Sequence, residues 1–465
     1  MSVDGRDAQR IDHFGASGAW WPNDLGEFPP EAQRQVADLL FGKSGIALSG
    51  YRYNIGGGGV GVTNPNRAPA TFLVAPGHYD WTRDRGGVTF LRLAAQHHVP
   101  VIVGFVNSAP PAWTTTGKSC GGQLAPAGTG AFASYIADVV DHFRRAEHVD
   151  ISYVSPMNEP DNSFSSCGQE GMAVPVDARA ALVRAVAGAL TSHDRDTRVI
   201  ADESSTAFFQ FLPQVPKWLD AATLPSVGAL AHHTYEFPTD EWLKQVSSLR
   251  RFGRPLWMTE ICCYDGKGPI VGFGAQYDPT MTSGLWLAHS IFQDLAITGD
   301  AAFDWWTAVS KELGCDPTHD PACTRTLNTK GWNDGLLYYD GAFRTDGNHA
   351  VTPTKRFFVL GNFSRYVRPG AIRHDVAGAP PGVDVMAFAR GRHWVVVATN
   401  TTPVRTSLRL ALPGSTGRVR ATGAVETSAT RDLGSVSVPH RDGDRTFVAD
   451  LAPASVTTFT FDGSR

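Results

Sequence analysis

Residues 154–160 read Val-Ser-Pro-Met-Asn-Glu-Pro and close a short apolar run that begins at Ile151. The run predicts a buried strand, so the polar residues after it stand at the C-terminal tip of that strand. Because proline fixes φ and restricts the residue before it, Glu159 is held in a defined direction. A second apolar run, residues 255–258, leads in the same way to Glu260. We expect the rest of the chain to bring Glu159 and Glu260 face to face.

Strand and helix patterns alternate along the chain from residue 11. Apolar runs of strand length lie at 11–15, 46–55, 99–106, 151–154, 198–202, 227–233, 256–260 and 302–306. Helical patterns follow them in turn at 30–41, 88–97, 130–145, 177–193, 208–221, 240–252, 282–298 and 353–366. This alternation predicts an α/β fold, a (β/α)8 TIM barrel, with a doubly wound open sheet as the alternative. In a barrel the chemistry lies at the C-terminal strand ends, where both glutamates are predicted.

The pattern of apolar residues changes after residue 370. Helical periodicity stops, and short apolar runs at 383–388, 394–398 and 455–461 alternate with turn residues. This pattern predicts a β-sandwich of about one hundred residues behind the barrel.

The amino-acid composition indicates which classes of molecule the protein could bind. The formal net charge is −4 and no basic stripe stands out, which argues against nucleic acid as the main partner. No run of 18 apolar residues occurs, so no transmembrane helix is predicted. The chain has 12 Trp, and a weakly charged cleft with aromatic side chains suits neutral sugars, although most Trp residues belong to cores.

Six cysteines bear on the cellular compartment. Cys120 with Cys167, and Cys315 with Cys323, are plausible disulfide pairs that would fit a secreted protein. The adjacent pair 262–263 is interpreted as buried free thiols in preference to a vicinal disulfide. The first residues of the chain contain no apolar signal segment, so we expect either a mature extracellular form or, as the alternative, a cytoplasmic protein.

Two carboxyl groups on one barrel face match retaining glycoside hydrolysis. One carboxylate attacks the anomeric carbon, the other protonates the leaving oxygen and then activates water, and the two groups lie about 5–5.5 Å apart. Glu159 follows the fourth predicted strand and Glu260 ends the seventh, so they should face each other across the barrel mouth. A single glutamate at a strand end is more often a helix cap or a surface charge, and it is the pair that favours catalysis.

Several segments resemble glycoside hydrolase family 30, in the order in which that family has them. They are Phe-Gly-Ala-Ser-Gly-Ala at 14–19, Tyr-Arg-Tyr-Asn-Ile-Gly-Gly at 51–57, Asn-Ser-Ala-Pro-Pro-Ala-Trp at 107–113, Asn-Glu-Pro at 158–160, Thr-Glu at 259–260, and residues 355–358 through 364–370. Within the family, residues 20–24 and 159–164 look most like the endo-β-1,6-galactanases. His13 is a departure, since a glycine is expected before Phe14, and it should matter for packing more than for chemistry.

The resemblance implies roles for five side chains. Glu159 would be the acid/base and Glu260 the nucleophile. Asn158 would hydrogen-bond the 2-hydroxyl of the sugar. Tyr235 would touch the nucleophile, and the positive charge of Arg52 would keep it ionised. For Arg52 the alternative is a buried structural ion pair.

Four further side chains are candidates for substrate binding. The resemblance makes Trp306 the floor of the subsite for the cleaved sugar. His233 lies two residues from Tyr235 and so shares its face, with a core histidine as the alternative. Trp113 and Trp332 lie in loops, where they are sugar platforms or packing under a loop.

The resemblance also implies the domain bounds. The family builds its side β-sandwich from the C-terminal segment and the extreme N-terminus. We therefore expect a barrel at 11–368 and a sandwich at 1–10 and 369–465. The loops 262–279 and 307–352 should shape the cleft.

The sequence thus predicts a retaining hydrolase of β-1,6-linked galactan or arabinogalactan side chains. We expect a monomer with no cofactor and no metal, since no ligand cluster stands out by spacing. One alternative is another specificity of the family, such as a xylanase or a glucosylceramidase. Another is a carbohydrate-binding barrel without catalysis. Endo or exo action depends on loop shape, which the sequence does not give.

Overall fold

A closed barrel of eight parallel strands forms the centre of the computed structural model, which describes residues 1–193, 196–264, 272, 274, 276–413, 419–442 and 446–463. The strands are β1 His13–Gly18, β2 Gly50–Asn54, β3 Val101–Phe105, β4 Tyr153–Ser155, β5 Arg198–Ser204, β6 Val227–His233, β7 Leu256–Glu260 and β8 Ala302–Trp305. Each strand pairs in parallel with the next, and β8 pairs with β1. The predicted (β/α)8 barrel is confirmed, and the open sheet is excluded because the strands close into a ring.

One helix follows each strand around the barrel. The helices are α1 Pro30–Phe41, α2 Arg85–Gln96, α3 Thr129–Ala146, α4 Val176–Ser192, α5 Leu212–Trp218, α6 Asp240–Val246, α7 Met281–Phe292 and α8 Lys355–Ser364. Three of the predicted helices are less regular than expected. A π-helical turn, Ala207–Phe211, precedes α5, a second one, Gln293–Thr298, extends α7, and a 3-10 segment, Ser247–Phe252, extends α6. In α5 the internal Pro216 removes a helix hydrogen bond, and this helix ends at Trp218.

Short elements decorate the loops at the strand ends. The helical ones are Pro22–Leu25, Pro65–Arg67, Pro111–Trp113, Pro126–Gly128, Leu224–Ser226, Pro321–Arg325 and Phe343–Asp346. The extended ones are Leu73–Ala75, His78–Tyr79, Gly122–Gln123, Met172–Ala173, Val309–Ser310, Leu337–Tyr339 and Val351–Pro353.

Strand β2 is shorter than the apolar run that predicted it. The run begins at residue 46, but β2 begins at Gly50. Ala47 has a φ of 49°, in the left-handed region, so the chain turns there before it can enter the sheet.

Two antiparallel-rich sheets follow the barrel and form the predicted sandwich. One contains Val376–Ala377, Ser2–Val3, Thr406–Ala411, Thr446–Leu451 and His440–Arg441. The other contains Gln9–Arg10, Ile372–His374, Val383–Arg390, His393–Asn400, Ser455–Gly463, Val419–Ser428 and Arg431–Ser435. The extreme N-terminus thus contributes one strand to each sheet. The domain bounds at residues 10/11 and 368/369 remain our proposal.

Helix α8 joins the barrel to the sandwich through a buried polar contact. Asn362 on α8 donates from Nδ2 to Thr458 Oγ1 at 3.1 Å, and it accepts from Thr427 Oγ1 at 2.6 Å. Phe388 and Val397 of the sandwich belong to the same apolar cluster as the barrel core. The sandwich therefore supports the barrel from the side of α8.

His13, the departure from the family pattern, is buried at the start of β1. Its Nε2 lies 2.9 Å from Asp304 Oδ2, and its ring meets the edge of Trp257 at a centroid distance of 4.8 Å. These contacts are packing contacts inside the barrel.

Disulfides join Cys120 to Cys167 and Cys315 to Cys323, as predicted. The interpretation of Cys262 and Cys263 as free thiols is wrong, because the structure joins them in a vicinal disulfide. Cys263 has a φ of 66°, and this turn of the backbone brings the two adjacent side chains together.

Within the described part of the chain, no helix has both the length and the apolar character needed to cross a membrane.

Candidate active site

Glu159 and Glu260 meet at the C-terminal mouth of the barrel. Glu260 is the last residue of β7, and Glu159 lies four residues beyond the end of β4. Glu159 has a φ of 45°, and its N–H donates to the carbonyl of Glu203 at 3.0 Å, which fixes the turn after β4. Carboxylate oxygens of Glu159 and Glu260 lie within 4.8 Å of each other and of a ring nitrogen of His233. Both side chains are buried, with 8% and 4% of their surfaces exposed, yet both line a cavity.

The cavity has a volume of about 510 Å³ and opens at the strand tips. Six of the nine predicted site residues line it: Asn158, Glu159, Tyr235, Glu260, Trp306 and Trp332. A cavity of this size, in which polar and charged side chains converge beside aromatic rings, is typical of a ligand site.

Arg52 on β2 lies at the centre of the site and donates hydrogen bonds to four side chains. Its Nη1 donates to Glu260 Oε2 at 2.9 Å and to Ser17 Oγ at 2.7 Å. Its Nη2 donates to Glu203 Oε1 at 2.8 Å and to Asn158 Oδ1 at 3.3 Å. The guanidinium is fully buried, and the ion pair predicted as the alternative is present together with the contact to Glu260.

Tyr235 and His233 reach the two glutamates from the end of β6. The Tyr235 hydroxyl donates to Glu260 Oε1 at 2.9 Å. His233 Nδ1 lies 3.2 Å from Glu159 Oε1, and 3.8 Å from Glu260 Oε1. His233 is therefore neither a core histidine nor part of the cavity wall. It lies beneath the wall and contacts Glu159.

The surroundings push Glu159 and His233 toward their protonated forms. Burial raises the pKa of Glu159, the contact with His233 opposes this, and the negative charge of Glu260 adds to the rise. For His233 burial favours the neutral ring, but the charge of Glu260 and the contacts with Glu159 and Glu203 outweigh it and raise the pKa to about 10. A carboxylic acid that stays protonated near neutral pH is what a general acid needs.

Aromatic side chains form one side of the cavity. Trp306 meets Trp20 edge to face at a centroid distance of 4.9 Å, and both line the cavity. Trp332 lines it from the long loop after β8, as expected for a sugar platform.

Of the two roles expected for Trp113, sugar platform or packing under a loop, the structure supports packing. Its side chain is buried and packs against Phe132 and Tyr135 of α3, and it is not among the residues that line the cavity. The 3-10 segment that ends at this residue turns the indole toward α3.

The comparison with known proteins agrees with this geometry. A family model described as O-Glycosyl hydrolase family 30 matches residues 2–213, which include strands β1 to β5 and Glu159. Over these residues the chain is similar to glycoside hydrolase family 30.

Two relatives of the chain differ in the sugars that their names specify. The glucuronoxylanase XynC of Bacillus subtilis is 23% identical over 333 residues, which cover 71% of this chain and 65% of that protein. The chain thus matches just under two thirds of that xylanase. The endo-beta-1,6-galactanase of Hypocrea rufa is 19% identical over 422 residues, 83% of this chain and 77% of that protein.

A solved structure has the same fold over its whole length. The crystal structure of a conserved exported protein from Bacteroides fragilis superposes with a TM-score of 0.80 at 21% identity, and the alignment covers 99% of each chain.

Two features of this site were not predicted from the sequence. Glu203 at the end of β5 is fully buried beside Arg52. The signal was an acidic residue at a predicted strand end, as for Glu260, but no proline or asparagine marks it. The vicinal pair Cys262–Cys263 lines the cavity just after Glu260. Residues 265–271, 273 and 275 of the same predicted loop lie outside the described residues.

Among the residues that the structure describes, two groups of side chains could hold a metal ion, although spacing alone pointed to none. They are Glu159 with His233 and Glu260, and Asp316 with Asp340 and Asp346. In the first group Arg52 already supplies a positive charge at 2.9 Å from Glu260, which disfavours a cation there.

Proposed function

We propose that the protein is a retaining glycoside hydrolase that cleaves β-1,6-galactosidic bonds in galactan or arabinogalactan side chains. The observation behind the mechanism is the approach of Glu159 and Glu260 to within 4.8 Å in a buried cavity. Retaining enzymes hold their carboxyl groups about 5–5.5 Å apart, whereas inverting enzymes need about 6.5–9.5 Å for a water molecule.

In the first step Glu260 is the nucleophile and Glu159 the acid. A Glu260 oxygen forms the bond to the anomeric carbon, while the proton of Glu159 passes to the departing glycosidic oxygen. Arg52 and Tyr235 donate to the two Glu260 oxygens and orient the carboxylate for this attack. In the second step Glu159, now ionised, takes a proton from water, which releases the sugar from Glu260.

Asn158 and the aromatic residues bind the sugar in this proposal. Asn158 lines the cavity next to the acid, where its amide can reach the 2-hydroxyl. Trp306 is the floor of the subsite for the cleaved sugar, and Trp332 is a platform at its side.

The galactan specificity has support from where the galactanase-like segments lie. Residues 20–24 and 159–164 resemble the endo-β-1,6-galactanases, and both contribute to the cavity wall, through Trp20, Asn162 and Phe164 among others. In this proposal Trp20, Asn162 and Phe164 face the bound substrate. The similarity to the galactanase of Hypocrea rufa also extends over 83% of this chain.

Xylan is the second candidate substrate, because the glucuronoxylanase of Bacillus subtilis is the more similar of the two relatives, at 23% identity. A non-catalytic sugar-binding barrel is a weaker candidate, because both glutamates and the donors to Glu260 are in place. We also propose that the protein acts as a monomer outside the cell, where its disulfides are stable.

Arabinogalactan stripped of arabinose tests this proposal, with products sized over time for wild type and Glu260→Gln. Release of β-1,6-galacto-oligosaccharides by wild type alone supports both substrate and nucleophile, and a ladder of sizes indicates endo action. Cleavage of xylan with galactan left intact overturns the substrate and keeps the mechanism. Binding of galactan or xylan without cleavage by wild type supports the sugar-binding alternative.

A further inference from the structure

Glu203 is a third carboxylate in the site, and it contacts both Arg52 and Glu159. Glu203 lies near the end of β5, where its backbone has a φ of 54°. Its side chain is fully buried. Its Oε1 accepts from Arg52 Nη2 at 2.8 Å, and its Oε2 accepts a short hydrogen bond from Ser155 Oγ. The same Oε1 lies 4.0 Å from His233 Nε2, which has no hydrogen-bond partner among the described residues.

The backbone of Glu203 contacts the acid directly. Its carbonyl oxygen accepts the N–H of Glu159 at 3.0 Å. One residue therefore fixes the turn that presents Glu159 and also holds Arg52, which donates to Glu260. Glu203 is fully buried and is not among the residues that line the cavity, so it acts through its neighbours.

Among the groups in direct contact at the centre of the site, Glu203 supplies a second negative charge beside Arg52 and His233. Arg52 and a protonated His233 supply two positive charges in a buried site. Ionised Glu260 and ionised Glu203 neutralise them, which leaves Glu159 as the neutral acid. The other groups in reach are Tyr235, whose phenol is neutral, and Asp161 and Asp304, which are held by Ser205 and His13.

Glu203 is suited to carry its negative charge. Burial disfavours ionisation, but the charge of Arg52 and the contacts with His233 and Ser155 outweigh it and lower the pKa of Glu203 to about 2. Without this charge, one positive charge would be in excess. The pair formed by Glu159 and His233 would then give up a proton more easily.

We propose that Glu203 is a positioning residue whose carboxylate balances Arg52 and His233 and so keeps on Glu159 the proton that the leaving group takes. This inference rests on the proposed hydrolase function. Glu203 exchanges no proton in the reaction. The proton of Glu159 goes to the glycosidic oxygen, that oxygen keeps the electrons of the broken bond, and Glu260 forms the new bond.

The test compares Glu203→Gln, Glu203→Asp and wild type in the pH dependence of kcat/KM. Glu203→Gln keeps the size of the side chain and removes its negative charge. Glu203→Asp keeps the carboxylate on a side chain that is shorter by one methylene group. In Glu203→Gln the alkaline limb should move to lower pH by about one unit or more, since a charge within about 4–6 Å shifts a pKa by about one to three. Glu203→Asp should keep the limb close to that of wild type. Glu426→Gln, a buried carboxylate of the sandwich, is the matched control and should leave the profile unchanged.

A dinitrophenyl galactoside separates this role from a structural one. Its leaving group needs no proton, so Glu203→Gln should cleave it within about threefold of wild type and lose far more on the polymer. An alkaline limb that stays in place in a folded Glu203→Gln overturns the proposal. An equal loss on both substrates overturns it as well, because that pattern indicates general damage to the site.

A measurement without turnover covers the case in which wild type cleaves nothing. The ring signal of His233 is followed by NMR through a pH titration and is assigned by its disappearance in His233→Gln. The pKa of His233 should fall by about one to three on Glu203→Gln, and less on Glu203→Asp. If wild type is inactive and this fall occurs, the hydrolase function fails while the charge balance stands. An unchanged titration overturns the charge balance itself.

Discussion

A carboxylate oxygen of Glu159 lies within 4.8 Å of a carboxylate oxygen of Glu260. The two residues come from different strands, and each is held by its own set of contacts. Glu260 accepts from Arg52 and Tyr235, whereas Glu159 meets His233 and lies in surroundings that raise its pKa. A retaining glycosidase requires two carboxyl groups at this distance, one to donate a proton and one to attack the anomeric carbon.

Replacement of the acid should depend on the leaving group. Glu159→Gln should lower kcat/KM on polymer by about 10²–10⁴-fold, because the glycosidic oxygen then leaves without a proton. On a dinitrophenyl glycoside, formation of the glycosyl-enzyme should remain close to the wild-type rate, measured as the burst of released phenolate. Glu260→Gln is the control and should lack the burst with either substrate. A burst lost equally in both variants would contradict the assignment of roles.

Removal of the Tyr235 hydroxyl should slow the reaction. Tyr235→Phe should lower kcat about ten- to a hundredfold, because a hydrogen bond to a charged group is worth about 1.5–3 kcal/mol. Tyr79→Phe removes a hydroxyl that donates to Asp138 outside the site and should leave kcat unchanged. Steady-state kinetics of the two variants check this, and equal effects would argue against a contact with the nucleophile.

The two loop tryptophans should behave in opposite ways. Trp332→Ala should raise KM for the polymer with little change in stability, since its ring lines the cavity and is partly exposed. Trp113→Ala should lower the free energy of unfolding by about 3–5 kcal/mol, since it removes a buried ring packed on α3. Urea unfolding and KM are measured for both. A raised KM without loss of stability in Trp113→Ala would restore its predicted role as a platform.

The activity of wild type should fall at alkaline pH. Because burial raises the pKa of Glu159 above its ordinary value, the acid keeps its proton past that value and loses it as the pH rises. The raised pKa of Glu159 also makes the free energy of unfolding fall as the pH rises. The contribution of this group is complete below the pKa of an unfolded glutamate and is lost as the pH rises through the folded value. The alkaline limb of kcat/KM should therefore be present for wild type on the polymer and absent on a dinitrophenyl substrate, whose leaving group needs no proton.

The two disulfides between non-adjacent cysteines should differ in their effect on stability. Cys120 and Cys167 are separated by 47 residues, and Cys315 and Cys323 by 8. Removing the first pair by double Ser substitution should cost about 1.5 kcal/mol more than removing the second, because the larger loop is constrained more in the unfolded chain. Urea unfolding of both double variants measures the difference, and a larger loss for the second pair would contradict it.

The barrel was predictable because its signals are local. Each strand is a short apolar run, and each helix has its own periodicity, so the order of elements could be read in sequence. The positions of Glu159 and Glu260 followed from the strand tips. Strand and helix ends were less predictable, since backbone geometry at Ala47 and Pro216 fixes them in the fold.

The remaining site residues depend on contacts between distant parts of the chain. Glu203 matters because Arg52 lies beside it, and that pair is separated by 151 positions. The direction of Trp113 depends on α3, and the Cys262–Cys263 bond depends on the turn at Cys263. These contacts form between side chains in the folded protein, so they could not be predicted from the composition of the chain or the spacing of its residues.

The anomeric configuration of the first-formed product is the most direct measurement. Proton NMR follows the reducing-end signal during the first minutes of hydrolysis, before mutarotation, on whichever of galactan and xylan the enzyme cleaves. The spacing of Glu159 and Glu260 predicts that the β-anomer forms first and the α-anomer appears later. Initial release of the α-anomer would contradict a retaining mechanism and the role of Glu260 as nucleophile.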